Sequence, residues 1–359
     1  MANRDLRMST VLLKHLACAC CGGSLRLAPE GQRESHAFDE GALECMACGA
    51  SIPIRNGVPR FVDNGHHAAS RTTQRTRQVY NFTWRRFGRR EIAQRWEKDS
   101  YRYVQMIPRE LMSGAARVGL DAGCGSGADL VRIAAGGAQL IGCDLSDGVE
   151  VAAQATAPLP NVLVVQADLQ RLPFRPDTFD FIYSFGVLHH LPDPQEGMRR
   201  LAALLKPGGS LVTYLYEDFS DRSRVERAIL NGLRVVRAMT SRLPLPWLFA
   251  GCWLLTPLVW LTCCLPARVL RAAWPQLVGR LPFRHTLRWP VVASDLFDRF
   301  APPLEWRFSR TDVMWLYERA GLTHVEIRHY RGWVSWGFKL DPKSPPAFAR
   351  QEVSVATVG

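Results

Sequence analysis

The sequence predicts an α/β fold built on a mostly parallel sheet, and three observations carry that expectation. Strand-like and helix-like runs alternate between residues 116 and 217, which is the pattern of βαβ units. A glycine-rich loop follows the first of these strands. Acidic and polar residues stand where the next strands end, the edge at which open α/β sheets bind ligands. At 359 residues the chain exceeds one average domain of about 150 residues, so further units are expected around this core.

Residues 1–62 are expected to form a zinc ribbon. Cys18 with Cys21 and Cys45 with Cys48 make two C-x2-C knuckles, 23 residues apart. Each knuckle puts two thiolates on one side of a tight turn, and two facing knuckles complete a tetrahedral zinc site. Four thiolates leave no open coordination position, so the metal is structural, and it supplies much of the folding energy of so small a module. Cys20 falls outside the set. Residues 63–115 are polar, aromatic and rich in arginine, and read as an N-terminal helical cap or linker that ends in a helical pattern from Tyr101 to Met112. Its basic run, Arg75, Arg77, Arg85, Arg86, Arg89 and Arg90, reads first as a solvated face.

Within residues 116–217 the strand-like runs are Arg117–Ala122, Gln139–Asp144, Asn161–Gln166, Phe179–Ser184 and Ser210–Tyr216. Helix-like runs at Asp129–Ala135 and Gln195–Leu205 lie between them. Residues 218–300 break this rhythm as an apolar helical insertion. Residues 301–340 resume it with a helix over Thr311–Ala320 and strands over Thr323–His329 and Gly332–Leu340, and residues 341–359 form a tail.

Glycines at 123, 125 and 127 follow Asp121 at the end of the first strand. Spaced by two, they let the backbone pass close to a ligand and expose amide donors where the next helix opens. The second strand ends in Asp144, 17 positions after Gly127, and a carboxylate there can accept both hydroxyls of a ribose. The third ends near Asp168 and Leu169, a polar and an apolar group suited to the edge and face of a base. The fourth runs through Ser184 and Phe185 into His189 and His190. An imidazole at that edge is a candidate general base, set against the plainer role of packing the following turn.

Together these motifs resemble the class I S-adenosylmethionine-dependent methyltransferases, especially the branch of quinone-biosynthesis and related small-molecule enzymes. The resemblance covers residues 116–217 and returns near 310–340. It implies a Rossmann-like sheet of seven strands in the order 3-2-1-4-5-7-6, the last strand antiparallel. It implies S-adenosyl-L-methionine as cofactor, with Asp121, Gly123, Gly125 and Gly127 at its methionine end and Asp144 and Leu145 at the ribose. Asp168 and Leu169 would then flank adenine, and Ser184 or Phe185 would stand near the sulfonium. Separately, the cysteine region resembles the small zinc-ribbon activator subunit of tRNA and protein methyltransferases, here fused in cis, with Ala19 where that family carries proline.

The formal charge of +12 points to an anionic partner: nucleic acid, anionic lipid, or an acidic or phosphorylated substrate. From residue 243 to residue 267 no residue is charged, a stretch long enough to cross a bilayer. A single crossing conflicts with the fold, since it would part the fifth strand from the sixth and seventh. Pro244, Pro246, Pro257 and Pro266 also disfavour one straight helix. The stretch is therefore expected as a lid over the acceptor, a membrane-surface element, or an internal helical subdomain. The N-terminus shows no apolar signal segment, so the expected setting is cytoplasmic, at the inner face of the membrane if residues 243–267 meet lipid.

These readings lead to methyl transfer onto a lipophilic or acidic small molecule (a lipid, an isoprenoid or quinone-type compound, a polyketide) at oxygen or carbon. One alternative is an RNA or protein methyltransferase that uses the ribbon and the basic surface. Another is a non-catalytic, cofactor-binding scaffold.

Overall fold

A computed structural model describes residues 10–28, 40–62, 70–87, 101–280, 283 and 287–342. Arg89, Arg90 and the predicted tail from residue 343 onward lie outside the described residues. In the N-terminal region β1 (Leu25–Leu27), β2 (Glu40–Cys45), β3 (Ser51–Arg55) and β4 (Val58–Pro59) pair antiparallel in that order. Their period-two apolar residues bury one face, with Leu43, Ile52 and Ile54 fully enclosed.

The large sheet contains β5 (Val118–Ala122), β6 (Gln139–Asp144), β7 (Val162–Gln166), β8 (Phe179–Phe185), β9 (Leu205–Leu215), β10 (Leu322–His329) and β11 (Trp333–Lys339). In space they run β7-β6-β5-β8-β9-β11-β10. Counted within this sheet that is 3-2-1-4-5-7-6, the expected order, and only β11 runs against its neighbours. Every residue of β5 and β7 is buried, as parallel strands covered on both faces require. The order reverses between β5 and β8. Their carboxyl ends therefore open a crevice there.

The small sheet joins this one along the β7 edge. Phe61 N–H donates to the Gln166 carbonyl at 2.8 Å, and Ala17 N–H to that of Pro173 at 2.8 Å. Leu16, Ile54 and Phe61 share one core with Leu169 and Phe174. Arg60, 4% exposed, bonds Gln166 through one guanidinium nitrogen at 3.2 Å and Glu150 through another.

Two local expectations shift. The helical pattern from Tyr101 to Met112 becomes two short 3-10 turns, Tyr101–Met106 and Arg109–Leu111, because Pro108 lacks the amide that a continuous helix needs. β9 begins at Leu205 rather than Ser210, and it reaches β8 through a register irregularity between Phe179 and Phe181.

Between β9 and β10 lies the insertion: helices Arg224–Thr240, Leu245–Val259, Leu265–Val269, Pro275–Arg280 and Trp289–Phe300. Ser223 and Glu226 start the first with a reciprocal capping box. The prolines do not break the apolar run, which stays helical from Leu245 to Val269. Pro257 is carried inside the helix, and a widened π-type turn, Trp260–Cys264, ends two residues before Pro266. Such a turn absorbs a missing backbone hydrogen bond. Leu248, Cys252, Val292 and Phe297 form a core with Val79 of the Arg71–Phe87 helix, which couples the insertion to that helix.

Candidate cofactor and acceptor site

The glycine loop lies between β5 and the Ala128–Ala134 helix. Gly127 caps that helix in the left-handed region at φ 79°, and a Cβ there would stand 2.8 Å from the Ala152 Cα. Gly125 is closed from above: a Cβ on it would meet the Trp84 ring at 2.7 Å. The Arg71–Phe87 helix thus lies directly over the loop. Its Asn81 accepts the Asp147 N–H at 2.7 Å, and its Arg85 pairs with Asp147 at 2.9 Å.

Asp144, at the end of β6, accepts the Gly125 N–H at 2.9 Å on one oxygen and the Ser146 N–H and hydroxyl at 2.7 and 2.6 Å on the other. Burial pushes its carboxyl up against these donors. The oxygen that accepts the Gly125 N–H keeps lone-pair capacity for a further donor. Asp121 is buried at the end of β5, and burial together with Asp129 pushes it well above the usual carboxylate range. Both groups gain if a cation arrives.

A cavity of about 420 Å³ opens beside them, lined by Leu145 and Asp168 from the sheet edge, Phe61 from the ribbon, and Thr73, Arg77 and Asn81 from the covering helix. That volume falls within the range of ligand pockets. Of the expected residues, Leu145 and Asp168 line this cavity, while Asp121, Gly123, Gly125, Gly127 and Asp144 lie at the neighbouring carboxyl ends of β5 and β6 and in the loop between β5 and its helix. The structure turns two of the expected residues elsewhere. Leu169 belongs to the core shared with the ribbon, and the Ser184 hydroxyl is fully buried, donating to the Ala122 carbonyl at 2.8 Å. Phe185 remains half-buried at the strand end.

Beyond β8 the chain turns through Leu188–His190. His189 stacks on Tyr216 with ring centres 3.9 Å apart and lies 4.4 Å from His190. It is fully buried, and neither of its nitrogens has a hydrogen-bond partner among the described residues. His190 Nδ1 lies 2.7 Å from the Leu304 carbonyl. A carbonyl only accepts, so Nδ1 carries the hydrogen and Nε2 keeps its lone pair. Burial pushes both imidazoles down, His189 the further, so both are neutral at neutral pH.

Sequence reasoning missed the groups that complete this side. Tyr216 and Asp298 come from β9's exit and the insertion's last helix. Glu305 is held by Arg237 at 2.6 Å and Arg307 at 2.7 Å. Nothing in local spacing links these positions. Only the position of the insertion after the fifth strand pointed to this side. A groove of about 500 Å³, lined by Gln78, Asn81, Phe82, Arg85, Arg86 and Leu245, separates the covering helix from the insertion. Arg86 stands 4.6 Å over Phe82 and 4.8 Å over Phe249.

Cys18, Cys21, Cys45 and Cys48 converge, with all four sulfurs within 4.8 Å of one another. The Cys18–Cys48 and Cys21–Cys45 separations are 3.7 and 3.5 Å. A tetrahedron with Zn–S bonds of about 2.3 Å has edges of about 3.8 Å, so the donor set fits that metal. The two knuckles repeat one geometry: Gly22 and Gly49 N–H donate to the Cys18 and Cys45 carbonyls at 2.8 and 3.0 Å.

Residues 120–213 match the family model described as a methyltransferase domain. A tRNA U34 carboxymethyltransferase of Pseudoalteromonas translucida is 37% identical over 127 residues, 34% of this chain and 38% of that protein. A demethylmenaquinone methyltransferase of Clavibacter sepedonicus is 39% identical over 95 residues, 26% of this chain and 38% of that protein. The chain thus spans well under half the length of these curated relatives. A solved Burkholderia thailandensis 1,6-didemethyltoxoflavin-N1-methyltransferase, with 1,6-didemethyltoxoflavin and S-adenosylhomocysteine bound, superposes with a TM-score of 0.48 at 18% identity, covering 78% of this chain and 94% of that one. By strand order, glycine loop and family match, the chain carries a class I S-adenosylmethionine-dependent methyltransferase domain.

Proposed function

We propose that the protein methylates, at oxygen or carbon, a lipophilic small molecule with an acidic or phosphorylated head: a lipid, an isoprenoid or quinone-type compound, or a polyketide. The observation that carries this reading is the groove between the covering helix and the insertion, where Phe82 and Leu245 meet Arg85 and Arg86. An apolar body suits the first pair and an anionic head the second.

In this reading Asp144 takes the ribose hydroxyls, and Asp168 and Leu145 flank adenine. Asp121, Gly123, Gly125 and Gly127 hold the methionine end, and Phe185, with the backbone of Ser184, stands near the sulfonium. S-adenosylmethionine supplies an activated methyl whose leaving group is a neutral thioether. What remains for the chain is alignment, exclusion of water and proton removal. His190 is the better candidate base of the histidine pair. The Leu304 carbonyl fixes its tautomer, which leaves Nε2 to take the acceptor's proton. His189, stacked on Tyr216, orients its neighbour. The four cysteines hold a structural zinc ion that braces the ribbon against β7.

A second reading, methylation of RNA or protein, is favoured by the basic charge, the ribbon's seat beside Asp168 and the tRNA-modifying relative. One experiment separates them. The protein is incubated with methyl-labelled S-adenosylmethionine and a lysate of its source organism, and organic, RNA and protein fractions are counted. Label in the organic phase supports the small-molecule reading. Label in RNA or protein overturns it.

A further inference from the structure

We infer that the insertion is a monotopic docking surface, which lays the outward face of the Leu245–Val269 helix into the headgroup region of an anionic bilayer. This helix is apolar all round, yet only one side is covered. Leu245, Leu248 and Cys252 are buried with Val292, Leu296 and Phe297 of the last insertion helix. The opposite side repeats apolar residues at helical spacing: Trp247, Leu254, Leu258 and Leu261, exposed by 76, 82, 58 and 60%. That stripe runs about 21 Å along the helix axis. A helix facing water carries polar residues on this side. The neighbouring Arg224–Thr240 helix adds exposed Ile229, Val236 and Met239.

Charge selects the occupant. From residue 227 to residue 294 the sequence holds no aspartate or glutamate. Arg227, Arg234, Arg242, Arg268 and Arg271 of this region are all exposed, as is Arg224 just before it. Apolar side chains ringed by guanidinium groups, with Trp247 and Trp274 exposed among them, match an interface of anionic headgroups over acyl chains. The topology excludes a crossing. The chain leaves the sheet at β9 and returns at β10, and β11 lies hydrogen-bonded between those two strands, so both ends of the insertion stay on one side. Leu245 both begins the helix and lines the groove, so the groove meets the helix on its covered side, away from the docked face. The inference does not rest on the proposed acceptor.

The test is flotation of the full chain with vesicles of phosphatidylcholine alone and of phosphatidylcholine mixed with phosphatidylglycerol. The wild type is expected to float with the anionic vesicles, less so at high salt. The double variant Leu254→Glu/Leu258→Glu is expected to lose roughly tenfold or more of its partitioning. Arg227→Gln/Arg234→Gln/Arg271→Gln is expected to lose the preference for anionic lipid. Titration with S-adenosylmethionine reports whether each variant keeps its fold. Failure of the wild type to float overturns the inference, as does equal flotation of folded double variant and wild type. Self-association of the wild type, abolished by the double variant and without vesicle binding, would assign the face to a second copy of the chain instead.

Discussion

Arg237 of the insertion and Glu305 of the segment leading back to the sheet form a buried ion pair at 2.6 Å, their side chains 9 and 3% exposed. Arg307 closes on the same carboxylate at 2.7 Å. Burial raises the Glu305 carboxyl, but Arg307 and Arg237 outweigh it and hold the group below its usual range. The triad pins the insertion beside His190. Removing one partner of a buried pair costs about 3–5 kcal/mol. Arg237→Ala leaves Glu305 its second arginine, so a loss near about 3 kcal/mol is expected. Glu305→Ala strands both arginines and should cost more. Urea denaturation of the two variants checks this order.

His190→Asn removes the Nε2 lone pair and keeps a small polar side chain. If His190 is the base, kcat falls by about 10²–10⁴, while affinity for S-adenosylmethionine stays unchanged. Calorimetric titration alongside initial rates reads both. Equal losses in binding and turnover would instead mark His190 as structural.

Asp144→Asn keeps the shape of the β6 terminus and removes the charge that gathers the Gly125 and Ser146 donors. A charge-assisted hydrogen bond contributes about 1.5–3 kcal/mol, so the Kd for S-adenosylmethionine is expected to rise roughly ten- to a hundredfold. Unchanged affinity in a titration would remove Asp144 from the site.

Asp298 carries a pH signature. Burial, then Asp295 and Glu305, push its carboxyl up to about 7. The folded value is raised above the unfolded one of about 3.9. Its contribution to stability is therefore full below about pH 4 and is lost as pH rises through about 7. Asp298→Asn is neutral throughout. Relative to the wild type, it is expected to show its smallest gain in melting temperature near about pH 4 and its full gain near about pH 8.5. A variant that is less stable at both pH values contradicts the assignment.

Metal removal should reach the cofactor site. The ribbon joins β7 through Phe61 and Arg60, and the segment after it through Ala17 and Pro173, and Phe61 lines the same cavity as Asp168. Treatment with a strong chelator, or Cys45→Ser, is expected to release about one equivalent of zinc or prevent its uptake. The ribbon should then unfold and affinity for S-adenosylmethionine should weaken. Metal analysis with cofactor titration tests this. Affinity that survives a metal-free ribbon would uncouple the two.

The sequence by itself determined the sheet and the crevice. Alternating runs placed β5 to β9 and the returning β10 and β11, and the glycine loop with Asp121, Asp144 and Asp168 marked the carboxyl edge. The paired cysteines marked the sulfur cluster. These features are legible because each is a local period or a fixed spacing, set by 3.6-residue turns, two-residue pleats and tight knuckles. The tertiary structure decided the rest. The tautomer of His190 is fixed by Leu304, 114 positions away. Trp84 closes over Gly125, and Ser184 and Leu169 turn into the interior. Residues 243–267 look equally apolar along their length, and only packing against the Trp289–Phe300 helix separates a buried side from an exposed one. Spacing records which residues share a face, but desolvation and pairing depend on segments that arrive from elsewhere in the chain.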